Sequence, residues 1–184
     1  MFKLSAILIV FVFLCGKAWA VDEFAGIKCG TDIPKALMGK RTSNERVVVT
    51  EARHKDIGLK DLGGDEVSDR LFLIGWQICG SEYELLLNTK TSQVLDVITV
   101  PPHTKTTPEA IGGCQVNGKD DPAAIIALLD NSAGYNPADP SLARQSLKAK
   151  VGWKIDEAHN RFVSLPPETL TCPLATVVTS DGGS

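Results

Sequence analysis

Apolar and polar positions alternate with the period of a strand in two parts of the chain. In residues 71–79, Phe72, Ile74, Trp76 and Ile78 fall on one face and Leu71, Leu73, Gly75 and Gln77 on the other. This is the strongest β signal in the chain. In residues 149–156, Ala149, Val151, Trp153 and Ile155 alternate with Lys150, Gly152, Lys154 and Asp156, the pattern of a half-buried strand. Around the first segment the pattern predicts a hairpin through Gly80-Ser81, a second strand over 82–88, a polar turn at 89–92 and a third strand over 93–100, stopped by Pro101-Pro102. After the second segment, Ala158-His159-Asn160 turns the chain into a strand over 161–165, which Pro166-Pro167 ends. The sequence therefore predicts an antiparallel meander and a C-terminal hairpin.

Helices are fewer and shorter. Asp32 caps a segment over 33–38 with Pro34 in its first turn and Gly39 after it, and Ala36 and Leu37 face inward. Asp121 and Pro122 open a second predicted helix over 123–129, with Ile125, Leu128 and Leu129 on one stripe. The run Val47-Val48-Val49-Thr50 makes residues 46–52 β-rich, residues 54–69 read as a Gly- and Asp-rich loop, and residues 111–117 read as a strand carrying Cys114. Residues 131–140 are turn-rich, and 179–184 read as a frayed tail. The expected class is α+β: a single domain of mainly antiparallel sheet with two or three short helices. Regular alternation of strand and helix, as a parallel doubly wound fold requires, is missing, and no repeat period of 20 to 50 residues shows itself.

The first residues stand apart. Met1-Phe2-Lys3 precedes a mostly apolar run from Leu4 to Leu14, and Ala18-Trp19-Ala20 has the small-x-small pattern that signal peptidase reads. The run is too short for the ~20 residues a bilayer span requires. Residues 1–20 are expected to be a signal peptide, and 21–184 the exported domain, with no membrane span once the signal is cleaved. Losing Lys3 and Lys17 leaves 17 basic residues of the original 19 against 22 acidic ones. An acidic chain without a basic cluster lacks the electrostatic footprint of a nucleic-acid binder.

Export changes the reading of the cysteines. Cys15 leaves with the signal, and the remaining Cys29, Cys79, Cys114 and Cys172 are even in number, which in an oxidising compartment predicts two disulfides. Their wide spacing contains no C-x-x-C or C-x-x-H pair, so no metal site is expected. Of the three possible connectivities, Cys79 with Cys114 and Cys29 with Cys172 is expected, the first stapling neighbouring strands and the second the two ends.

Candidate chemistry is sparse. Gly63-Gly64-Asp65-Glu66-Val67 resembles the GG-D/E-E-F signature of diguanylate cyclases, in which the acidic residue binds metal at a hairpin beside a guanine nucleotide. It departs at the fifth position, carries Asp61 where that family has Arg, and lacks the upstream aspartate strand with its F-K-x-x-N-D segment. It is therefore read as a flexible turn with solvated acids. His54-Lys55-Asp56 fails the H-x-K spacing of phospholipase D. His54, His103 and His159 lie far apart in predicted loops or turns. Glu82, Glu84 and Asp96 could cluster across the meander, and paired carboxylates serve glycosidases, but such acids on strands more often face water. Asp120 and Asp121 are expected to complement a helix start. Of the seven aromatic residues that follow the signal, Tyr135 is the one expected to be exposed.

No catalytic residue, cofactor or metal is assigned. The expected function is that of a periplasmic or secreted noncatalytic module that binds or inhibits an unidentified protein or small ligand through the loops 54–69, 101–110 and 131–140. The alternatives are a small extracytoplasmic hydrolase, with His54 or His103 as base in a site assembled from distant residues, and a structural component of the cell envelope. The absence of any N-x-S/T site favours a bacterial periplasm.

Overall fold

A computed structural model describes residues 22–43, 46–136, 139, 145–173 and 177–178. Four strands, β1 (Lys60–Ser68), β2 (Leu71–Ile78), β3 (Ser81–Asn88) and β4 (Val94–Val100), form an antiparallel sheet in chain order. β2 and β3 meet at a two-residue turn of Cys79 and Gly80, with φ of 52° and 79°, and Ile78 pairs with Ser81. Two successive positive φ values define the turn whose twist matches that of the strands. The alternation within β2 is as the sequence predicts. Trp76 and Ile78, with Phe72 and Ile74, pack toward the N-terminal segment, and Leu71 and Leu73 pack on the opposite side.

The N-terminal segment covers the first of these faces. Phe24, Ile27, Ile33, Leu37, Ile57 and Leu59 bury against β2, β3 and β4. Helix α1 (Ile33–Leu37) begins at Asp32, whose side chain accepts a hydrogen bond from the Lys35 amide at 3.2 Å, and Gly39 follows it with φ of 76°. Helix α2 (Val47–Arg53) and a 3₁₀ turn at Lys55–Ile57 lead into β1.

The rest of the chain builds a second antiparallel sheet from β5 (Glu109–Ile111), β6 (Gln115–Val116), β7 (Lys119–Asp120), β8 (Ile125–Leu129), β9 (Ser146–Asp156), β10 (Arg161–Leu165), β11 (Leu170–Pro173) and β12 (Val177–Val178). Their spatial order is β12-β5-β8-β9-β11-β6-β7, and β10 lies against the C-terminal half of β9. One face encloses Ala110, Ile125, Ala127, Leu129, Leu147 and Leu170. The other presents Ile126, Ile155 and Phe162 to Leu71, Leu73 and Leu86 of the first sheet. At their rim the Phe162 amide donates to Asp96 Oδ2 at 2.7 Å, a hydrogen bond from β10 to β4. The first sheet is thus the middle layer, between the N-terminal segment and the second sheet.

The α+β class, the meander, the C-terminal hairpin and two disulfides are present; several finer expectations are corrected. The helix expected at 123–129 is strand β8, buried along its whole length. Its residues alternate between the two apolar clusters, and an apolar run of that length suits a strand covered on both faces as well as it suits a helix. The β-rich stretch 46–52 is α2, and the loop expected at 54–69 is the 3₁₀ turn and β1. Residues 111–117 do not form one strand: Cys114 sits in the irregular link between β5 and β6. The disulfides join Cys29 with Cys79 and Cys114 with Cys172. The expected connectivity assumed that a bridge would cross between the halves of the chain. Cys79 instead lies at a turn beside the N-terminal segment, and Cys114 lies beside β11. Residues 1–20, the tail 179–184 and part of 131–140 lie outside the described residues. Among the described residues, no helix is long and apolar enough to cross a membrane.

Candidate functional site

Alternation along β3 sends Tyr83, Leu85 and Leu87 toward the N-terminal layer and Glu82, Glu84 and Leu86 toward the second sheet. Leu86 enters the apolar cluster there, whereas Glu82 and Glu84 place carboxyls in the same layer with only 8% and 6% of their surfaces exposed. Room for Glu84 comes from Gly75, its cross-strand partner in β2. A Cβ at that position would lie 2.8 Å from Glu84 Oε1 and 3.1 Å from Leu62 Cβ.

Two further groups complete the cluster. His103, just beyond β4, shares a 2.7 Å hydrogen bond between Nδ1 and Glu82 Oε2, and its backbone amide donates to the same oxygen at 3.4 Å. Glu109 opens β5, two residues from Ile111, which packs into the layer between the sheets. Burial, reinforced by the charges of Glu109 and Glu82, raises the pKa of Glu84 well above the usual carboxylate range. Burial also raises Glu109, to about 7; His103 works against the rise and Glu82 adds to it. Carboxyls crowded into a poorly hydrated space cannot all ionise, so the cluster holds at least one proton near neutrality. A neutral carboxyl beside an ionised one is the arrangement that supplies an acid and a base to chemistry.

The other candidates are dispersed. Asp96 does not join the glutamates; it accepts hydrogen bonds from the Phe162 and Val97 amides. His54 Nε2 lies 2.8 Å from Asp22 Oδ1, with its ring edge-on to Phe24. His159 Nδ1 lies 2.8 Å from Asp156 Oδ2 on the surface. Asp120 accepts a hydrogen bond from the Gln115 side chain, and Asp121 caps the Ala123 amide and binds Lys154 Nζ at 2.9 Å. That ammonium, ahead of the Ala123 amide, holds the Asp121 carboxyl below its ordinary value. The Gly63–Val67 signature runs along edge strand β1, so it is not a turn; Asp65 and Glu66 are exposed. Among the described residues, no three His, Cys, Asp or Glu side chains converge to hold a metal ion. An open groove of about 450 Å³ beside Pro122, Lys154, Glu157 and Val163 contains neither the three glutamates nor His103.

What sequence reasoning missed is the joining of two loops. Asn131, 4% exposed, donates from Nδ2 to the carbonyls of Lys105 and Tyr135 at 3.1 and 2.9 Å and accepts from the Tyr135 amide at 2.8 Å. Its backbone amide donates to Thr106 O at 3.0 Å. Residues 103–108 and 131–136 therefore form one continuous surface, and Thr104 and Thr107 close a turn within it through reciprocal backbone hydrogen bonds. Tyr135, expected to be exposed, is half-buried against the apolar cluster of the second sheet. Comparison with protein-family models, curated proteins and solved structures gave no match.

Proposed function

We infer that this is an exported binding or inhibitory module, periplasmic or secreted, that recognises a protein or small ligand through the joined loops 103–108 and 131–136. The observation that carries this reading is Asn131, whose buried amide satisfies backbone groups of both loops and fixes them as one surface on a disulfide-bonded scaffold. Ordered loops on a rigid framework present polar groups for recognition at a low entropic cost. Thr104, Lys105, Thr106 and Ser132 stand exposed on this surface. The disulfides fit an oxidising compartment.

Photo-crosslinking side chains at Lys105 and Ser132 test the reading in cells that make the protein. A control position at Asp69 lies at the opposite end of the first sheet. A discrete adduct from the two loop positions and none from Asp69 is expected; equal labelling from all three, or from none, would refute the loop surface as the site. A second reading, a small hydrolase, draws on the hydrogen bond between His103 and Glu82. It requires turnover of an ester, amide or glycoside that His103→Gln abolishes.

A further inference from the structure

Neither disulfide crosses between the two sheets: Cys29–Cys79 ties the N-terminal segment to the first, and Cys114–Cys172 closes the second on itself. The sheets are held together by the contacts between them, and those contacts change character along the layer. Toward one end Leu71, Leu73, Leu86, Ile126, Ile155 and Phe162 meet. Toward the other, where β3 begins and β4 ends, lie Glu82, Glu84 and Glu109, with His103 holding the loop that links the sheets.

We propose that this acidic end is a proton-operated latch, in which protonated glutamates keep the sheets closed and the 103–108 loop seated, and loss of the protons loosens both. The geometry supports it in three ways. Glu84 is more than nine-tenths buried, and its carboxyl lies over the bare backbone of Gly75. Glu82 and Glu84 share β3 with one residue between them, so their charges add within one small volume. The surrounding elements supply little compensation. β2 offers Gly75 and Gln77, β4 offers Ile98 and Val100, and β8 sets Leu128 opposite Glu109; β1 offers Leu62 and, in register with Gln77 and so two strands from Glu82, the exposed Lys60. Glu109 itself adds an acid, and the basic group bearing on it is His103. Asp96, on the same face of β4, already accepts the Phe162 amide.

Glu84 and Glu109 are both raised on folding, so the folded protein holds more protons than the unfolded chain above the ordinary carboxylate range. Their contribution is full below that range and is lost as pH rises, for Glu109 through about 7. The loop follows because His103 is bonded to Glu82 of the cluster and Asn131 joins the same loop to the second sheet.

This proposal concerns control of the loop surface and rests on the binding reading for its functional meaning, but its test needs no partner. Hydrogen exchange of the Thr104, Thr107 and Asn131 amides, corrected for intrinsic rates, is measured on the oxidised protein at about pH 5 and about pH 8.5. Wild-type protection is expected to fall about tenfold or more across that interval, and about threefold or less in Glu84→Gln and Glu109→Gln, which cannot ionise. Should Glu84→Gln not fold, Glu109→Gln decides alone. Wild-type protection that does not change with pH, or an equal fall in the folded variants, would overturn the latch. A pH-dependent loop that never yields a crosslinked partner would count against the binding reading alone.

Discussion

Single side chains do most of the organising around the proposed surface, and Asn131 is the clearest case. Its Nδ2 and Oδ1 answer three backbone groups that would otherwise be left without partners near the second sheet's core. Truncation leaves those groups unpaired, and each buried group stranded in this way costs about 1–3 kcal/mol. Asn131→Ala is therefore expected to lower the unfolding free energy by about 3 kcal/mol or more in urea titration. An unchanged midpoint would mean that water replaces the amide and that the loops are not held by it. Little of this was legible in the chain, because an Asn in a turn-rich segment looks the same whether it faces solvent or another loop. The glutamates were half-legible. Their spacing on a strand puts Glu82 and Glu84 on one face, but that Glu109 and His103 would join them depends on how the second sheet lies across the first. Asp96 had equal claim from the sequence and is used by the Phe162 amide instead.

Segments were legible where pattern and surroundings agree. The meander was, because both faces of β2 are apolar and its ends carry turn residues. β8 was not, since its apolar run fits either structure and Asp121-Pro122 resembles a helix start. Asn117-Gly118, with φ of 53° and 72°, makes the tight turn between β6 and β7, and this pair is the one local signal that could have divided residues 111–117 correctly. α2 shows the opposite conflict, a run of valines held as a helix. Val48 is 64% exposed, and the segment is fixed by its other end: Thr50 is buried, Glu51 Oε1 accepts the Asp61 amide at 2.7 Å, and Arg53 approaches Asp22. These attachments outweigh intrinsic preferences worth tenths of a kcal/mol per residue. Val48→Ala is accordingly expected to raise the stability by about 0.5 kcal/mol, measured in the same titration, because Ala suits an exposed helix better and no packing is lost. A loss of stability would show that the valine is covered or extended in solution.

At the scale of the molecule, the sequence conveyed that four cysteines make two bridges but not which, because pairing reflects where each half closes. The first half closes around the N-terminal segment and the second around β11, so each bridge reinforces one sheet and neither reinforces the join. In the chain-entropy model, loops of 50 and 58 residues each contribute about 4 kcal/mol, with strain and residual unfolded-state structure reducing the figure. A contribution of that size within one half, with neither bridge crossing the join, makes unequal loosening the expected response to losing one bridge. Replacing both Cys114 and Cys172 with Ser should reduce amide protection in β8 and β9 by far more than in β2 and β3, whose packing against Phe24, Ile33 and Leu37 and whose own bridge are untouched. Equal loss in both sheets would show that the interface couples them into one cooperative unit, strong enough to transmit the missing bridge from one half of the chain to the other.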